Sequence, residues 1–452
     1  MKLRIIKGGS AAREQITKLR AVAEDKLPQH VTDRLGEIFG REISAGEAVA
    51  QIVADVRRDG DRALHDYTWR IDGVRLPALV AGTAELEAAY RAQPGELRKA
   101  LHLAADRIRA FHEREPRISW IEWDEEGGAL GQRAVPLQRV GVYVPGGTAA
   151  YPSSLLMAVV PAQVAGVGEI LATTPPGPEG TGSSVILAAA HIVGLERVYL
   201  LGGAQAVAAL AYGTESVPRT DKIVGAGGLF VTLAKRQVYG DVGIEGLAGP
   251  TETLLIADAA ASPVPVAADL LAQAEHDPLA TALLITPSAQ LAEAVQAEVE
   301  RQLPSLSRQA IIRESLAGQG AILVVADLDE ALDLANAYAP EHLCLLVSDP
   351  WSLVGRVHNA GGIFVGEGSS EALGDYVVGP SHIMPTRGTA RFSSPLHVGD
   401  FCKVVNLFAV SERAARRLAP SAQTIAQAEG LTAHAAAVTA REDAGQATTT
   451  GV

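Results

Sequence analysis

Two of the chain's eleven histidines stand beside carboxylates in settings that could do chemistry. In the run Tyr338-Ala339-Pro340-Glu341-His342-Leu343 the proline stops a helix and the leucine opens a buried strand. Glu341 and His342 therefore occupy a connection held between rigid elements. A carboxylate and an imidazole placed there could act as a general acid/base pair, because histidine titrates near neutrality. Asp269, Gln273 and His276 in DLLAQAEHDP follow at i, i+4 and i+7, one face of a helix that Pro278 ends. Gln273 and His276, three apart at the last turn, suit two ligands of one metal ion, or else a solvated polar helix end. Asp375, in Gly374-Asp375-Tyr376, offers a hard carboxylate, or an ordinary turn aspartate. In Glu429-Gly430-Leu431-Thr432-Ala433-His434, Gly430 terminates one helix and Thr432 caps the next. That junction aims a carboxylate and an imidazole, although a capping motif with an incidental histidine reads the same way. Gln273, His276, Asp375 and His434 together would suit Zn²⁺, and their oxygens would also suit a harder ion such as Mn²⁺.

The elements that must position these residues come in two sets. Short β-branched runs at Arg139–Val144, Glu169–Thr174, Arg197–Leu201 and Lys222–Val224 alternate with helices at Ser154–Ala165, Ser183–Val193 and Ala204–Tyr212. The pattern repeats with strands at Thr253–Ala257, Ala282–Thr286, Ala321–Val325, Leu343–Val347 and Gly362–Val365. Helices at Val266–Glu275, Gln290–Gln302 and Leu328–Tyr338 fall between them. Such alternation predicts parallel, doubly wound sheets. The fold class is therefore α/β: two similar, incomplete Rossmann-like units with a ligand cleft between halves. Residues 1–115 read as a helical N-terminal region, with amphipathic helices at Ala45–Val56 and Leu97–Phe111. Residues 116–245 form the first α/β unit and 246–385 the second, which carries the metal and acid/base candidates. Residues 386–452 read as an irregular stretch and a helical C-terminal arm, Ser411–Glu429 and Thr432–Arg441, ending in a disordered tail. An arm that short has no core of its own and must pack on the body or on another subunit.

No GxGxxG is present: Phe230 stands where the third glycine after Gly225 and Gly227 would be. Glycine-rich turns do follow strands, PGGTAAY at 145–151 and GGAQA at 202–206, and permit close backbone approach to a ligand or simply turn the chain. Cys344 reads as a small core residue, not a nucleophile. The chain has 452 residues, and 39 Lys+Arg against 52 Asp+Glu give a net charge of −13. That balance argues against nucleic acid as partner. Two cysteines fit a reducing compartment. With no apolar leader and no long apolar run, a cytoplasmic location away from membranes is expected.

The stretches VGVYVPGGTAAYPSS, GGAQAVAALAYGTESVP, AGPTE, DLLAQAEHDP, APEHL, GDY and AEGLTAH occur in the same order as in histidinol dehydrogenase, which the chain resembles from about Ala105 to Arg441. The resemblance implies a homodimeric enzyme of histidine biosynthesis with one zinc per subunit. Such an enzyme takes L-histidinol through histidinal to L-histidine at the expense of two NAD. By motif, the zinc ligands would be Gln273, His276, Asp375 and His434, and the acid/base pair Glu341 and His342. Thr251 and Glu429 would bind substrate together with Gln273, His276, His342, Asp375 and His434. Tyr143, Gln205 and Gly228 would contact NAD. The C-terminal arm would cross to the partner in a domain-swapped dimer, supplying Glu429 and His434 in trans. The family's GPGN loop reads Gly225-Ala226-Gly227-Gly228 here, without the side-chain amide that contacts NAD. Thr251 replaces the commoner serine, and Ser381 a frequent asparagine. The alternative is a paralogue oxidising another small polar alcohol, such as a sulfonated diol. Glu429 speaks for histidinol, since a carboxylate suits a cationic amine and repels a sulfonate.

Overall fold

A computed structural model describes residues 2–21, 29–146 and 150–447. The middle of the PGGTAAY turn, 147–149, and the end of the tail beyond 447 lie outside the described residues. Contacts divide the chain into two units: one holds residues up to 115 and 137–401, the other 116–136 and the segment from 402 onward.

The first unit contains two six-stranded sheets of matching order. In one, strands run Val80–Gly82, Arg197–Tyr199, Glu169–Thr173, Arg139–Tyr143, Lys222–Val224 and Gly243–Ile244. In the other they run Ile5–Lys7, Ala321–Val324, Thr281–Thr286, Glu252–Ala257, His342–Leu346 and Gly362–Val365. In chain order, the last five strands of each sheet go outward from a central strand, return, and continue on its other side. That is the doubly wound arrangement, built twice. The strands of the second sheet are almost continuously apolar because both faces are covered. Leu255, Leu284, Ile322 and Cys344 enter one core, and Leu254, Leu283, Leu323 and Leu343 the other.

The N-terminal region is not purely helical. It lends one edge strand to each sheet: Ile5–Lys7 pairs parallel with Ala321–Val324, and Val80–Gly82 antiparallel with Arg197–Tyr199. Three-residue strands in a long helical stretch carry no periodicity of their own, so only the distant partner reveals them. The expected amphipathic helices are present as Ala45–Asp59 and Gly95–His112. Ser44 and Glu47 start the former with a reciprocal capping box.

The second unit corrects two expectations of the sequence. Residues 116–136 do not join the first α/β sheet, and the stretch after 386 is not wholly irregular. Trp120–Trp123, Ala129–Pro136 and Cys402–Ala409 form an antiparallel three-stranded sheet, in which Ala129 pairs with Ala409 and Pro136 with Cys402. Both faces of these strands mix polar and apolar residues, which hid them from an alternation test. Helices Glu412–Ala428 and Thr432–Ala447 follow, linked by Gln423 Nε2 donating to Thr439 Oγ1 at 3.1 Å. Gly430, at φ 75°, turns the chain between them in the left-handed region that suits glycine.

Candidate active site

Glu341 and His342 sit where a parallel strand begins. His342 opens the strand His342–Leu346 and pairs in register with Thr253 of the neighbouring Glu252–Ala257. These two strands flank the point where the order of the second sheet reverses. Ligands of doubly wound sheets ordinarily sit at the carboxyl ends of strands. This cluster sits at the amino ends.

The two backbones hold the pair tightly. Glu341 Oε2 accepts from Thr251 Oγ1 at 2.6 Å and from the Glu252 backbone N–H at 3.0 Å. Gln273 Nε2 in turn donates to Thr251 Oγ1 at 3.1 Å, so amide, hydroxyl and carboxylate form one chain. His342 Nδ1 faces the Glu252 carbonyl at 3.2 Å. A carbonyl only accepts, which assigns a proton to Nδ1, so that in the neutral ring it is Nε2 that carries the lone pair. Nε2 is buried, without a hydrogen-bond partner, and 3.9 Å from Asp375 Oδ1. Burial pushes the Glu341 carboxyl up to about 7, although His342 and the Thr251 hydroxyl oppose the shift.

Gln273 and His276 come from the end of helix Pro263–Ala274, one residue inside it and two beyond. Gln273 Oε1 is buried with no partner, and its amide is already oriented through Nε2. An amide oxygen in that state fits a metal cation. Burial pushes the His276 imidazole down, toward the neutral form that binds metals, while Asp375 opposes the shift. Asp375 lies in the turn Gly374–Val378. No group of three or more His, Cys, Asp or Glu assembles into a metal-binding set among the described residues. Glu429 and His434 belong to the second unit, exposed around the turn between its two helices.

Two further residues belong to the cluster and escaped the motif reading. Glu371 is buried, accepts from Thr253 Oγ1, and places Oε1 3.6 Å from His342 Nδ1. Burial and the nearby Asp375 push its carboxyl well above the ordinary range. His382 Nδ1 lies 2.8 Å from the Asp375 carbonyl, and its Nε2 lies 3.1 Å from Ser154 Oγ. It thus ties the Asp375 turn to helix Pro152–Ala165 behind the first sheet. Pro380 and Pro385 bracketing a histidine were the only hint in the sequence. Cys344 is a core residue, as expected, and burial pushes its thiol far up.

Tyr143, Gln205 and Gly228 lie at the carboxyl ends of strands in the first sheet. Tyr143 ends the strand that adjoins Lys222–Val224, where the order of this sheet reverses. The Gly203 N–H donates to its hydroxyl at 3.1 Å. Gln205 is fully buried with both amide atoms unpartnered, and Gly228 caps helix Leu229–Val238. An orphaned amide beside a glycine-lined switch point fits a dinucleotide. The Gly225–Gly228 loop is fixed from below by a buried ion pair, Lys235 Nζ to Glu245 Oε2 at 2.7 Å. Glu245 Oε1 accepts the Gly225 N–H at 2.7 Å, and Lys235 donates to the Gly225 carbonyl at 3.1 Å. Gly225 has φ 113°, and a Cβ there would come within 2.1 Å of the Tyr143 carbonyl oxygen.

A histidinol dehydrogenase family model matches residues 40–442. The chain belongs to the histidinol dehydrogenase family. It is 53% identical over 435 residues to a histidinol dehydrogenase of Deinococcus radiodurans, covering 96% of this chain and 98% of that one. A histidinol dehydrogenase of Moorella thermoacetica is 54% identical over 410 residues, 90% and 96% of the two chains. The crystal structure of histidinol dehydrogenase from Elizabethkingia anophelis superposes with a TM-score of 0.87 at 32% identity, covering 95% of this chain and 96% of that one. Histidinol dehydrogenase relatives give no support to the alternative of another polar alcohol.

Proposed function

We propose that this chain oxidises L-histidinol to L-histidine in two steps through histidinal, as an oxidoreductase of histidine biosynthesis. The observation that carries the chemistry is His342, buried, with Nδ1 spoken for by a carbonyl and Nε2 bare. A neutral imidazole in that state is built to take a proton from an alcohol. Glu341, beside it, then serves as base toward the water that attacks the aldehyde, once its own raised carboxyl has ionised. Holding the aldehyde in a closed site keeps a reactive intermediate from solvent.

Gln273, His276, Asp375 and a His434 would hold one zinc, and Tyr143, Gln205 and Gly228 would hold NAD. Zinc would orient the substrate's imidazole and amine, and NAD would receive the hydride. Thr251 lines the substrate pocket and also orients both Gln273 and Glu341, so substitution there reaches ligand and base together. Glu429 recognises the substrate's ammonium group.

Supply of Glu429 and His434 by a partner in a domain-swapped homodimer would complete that set. The second unit supports it. Its helices bury only small residues, Ala414, Ala419, Ala426 and Ala435, while Leu418, Ile425 and Leu431, and Val404 and Phe408 of the sheet, stay exposed. Surfaces of that kind mark association. No helix among the described residues is long and apolar enough to cross a membrane.

NADH formation measured with histidinol, histidinal and small sulfonated diols tests the reading. Histidinol should give two NADH per molecule and histidinal one. A chain that turns over only the diol, or none of the three, overturns it.

A further inference from the structure

Away from the acid/base cluster, a cavity of about 440 Å³ opens between helix Gly9–Ala21, helix Leu328–Tyr338 and the segment 387–391. Its lining includes Arg13, Arg20, Arg387 and Arg391, with Ile16 and Tyr338. Four guanidinium side chains face one cavity in a chain whose net charge is −13, and no acidic side chain lines it among the described residues.

The four are not equally occupied. Arg20 pairs with Glu252, donates to the Tyr338 and Ala339 carbonyls, and lies over the Tyr338 ring at 3.5 Å. Arg391 Nε donates to the Gly388 carbonyl at 3.1 Å. The exposed guanidinium groups of Arg13 and Arg387 make no ion pair or hydrogen bond at contact distance among the described residues, although the Arg387 charge does act on the Glu252 carboxylate. Arg387 moreover holds φ 54°, a left-handed backbone that bulky residues rarely adopt, while its N–H donates to Glu252 Oε1 at 3.0 Å. The one carboxylate set against this group, Glu252, is buried behind it and already paired with Arg20, so the remaining like charges favour a further anion among them.

We propose that this cavity is an anion site that takes a phosphate group, either free phosphate or the monoester of a small metabolite. Forked guanidinium donors match phosphate oxygens in pairs, and a dianion balances more of the gathered charge than a single carboxylate. The aliphatic wall at Ile16 leaves room for a small organic body. The site is wired to the catalytic pair. Arg20 holds Glu252, whose N–H binds Glu341 and whose carbonyl binds His342. An anion that draws Arg20 therefore acts on the strand start that carries both catalytic groups.

Calorimetric titration of the full-length protein at fixed ionic strength tests the site, with inorganic phosphate, glycerol phosphate, acetate and chloride as separate ligands. Phosphate or its ester should bind saturably, with the tighter of the two naming the natural source, while chloride should not. The Arg13→Ala, Arg391→Ala double variant should weaken that binding about tenfold or more, since it removes charge-assisted hydrogen bonds. Neither residue belongs to the acid/base or metal sets, so turnover without phosphate should be preserved and report a folded enzyme. No saturable phosphate binding by the wild-type chain overturns the proposal. So does binding that the double variant leaves unchanged, or acetate binding as tightly as phosphate.

Discussion

The two ring nitrogens of His342 have different employers, and that division carries the first test. Nδ1 is held by the Glu252 carbonyl, so a His342→Asn variant can keep that bond while losing the base. It should retain zinc content, measured by metal analysis, and lose about 10²–10⁴-fold in histidinol oxidation. Wild-type turnover would remove His342 from its role. Glu341 gives a pH signature. Its carboxyl, raised by burial to about 7, cannot accept a proton from water while still protonated. Oxidation of supplied histidinal should therefore rise with pH to about 7 and level off above it, and Glu341→Gln should impair that step more than the first. The same shift has a stability sign. The folded chain binds this proton more tightly than the unfolded chain, whose carboxyl sits near 4.5. Its contribution is thus full below 4.5 and is lost as pH rises through 7. The sequence exposed Glu341, His342, Gln273, His276 and Asp375 because each sits in a short local motif. Glu371 and His382 stayed hidden because what defines them, Thr253 and Ser154, lies more than a hundred residues away in the chain.

Among the elements, the loop Gly225–Gly228 shows how much of a local motif depends on remote support. Its glycines were legible, but the buried Lys235–Glu245 pair beneath it was not, because a lysine and a glutamate ten apart look like surface charges. Lys235 is only 2% exposed and Glu245 9%. Lys235→Met would leave a buried carboxylate uncompensated, which typically costs about 3–5 kcal/mol. Denaturant unfolding should show a loss of that size, along with weaker NAD binding as the Gly225 carbonyl loses the Lys235 hydrogen bond. A variant as stable as wild type would mean that water reaches Glu245. The strands and helices marked from the sequence fall within a few residues of those found, because continuous apolar runs between glycines and prolines leave few other solutions. Helices Leu229–Val238 and Gln309–Gln319 and the short strand Gly243–Ile244 were not marked. Which end of the strands bears chemistry was not readable. Periodicity identifies faces of an element and says nothing about which edge of a sheet faces the ligand.

For the whole molecule, the decisive experiment concerns Asp375 in one unit and His434 in the other. If His434 is supplied by a partner, neither an Asp375→Ala chain nor a His434→Ala chain builds a complete metal site alone. Mixing the two by joint unfolding and refolding should produce dimers in which one site has both ligands and the other neither. With random pairing, about a quarter of wild-type activity should return, as dimer symmetry requires. If nothing returns while wild-type chains survive the same treatment, the arm serves its own subunit. The sequence led to a separate arm but missed the sheet at its root. Cys402–Ala409 finds its pairing partner in a segment that sequence order assigns to the first α/β unit.

That pairing also sets a clock on biosynthesis. Ala129–Pro136 leaves the ribosome long before the strand that will flank it, and at about 5–20 residues per second the wait is on the order of 10–60 s. Throughout that interval the hairpin carries Trp120, Ile121, Trp123 and Leu130, side chains that remain exposed even after its partner arrives. The hairpin is thus an open-edged nascent segment whose neighbours, on a polysome, are identical hairpins waiting for the same strand.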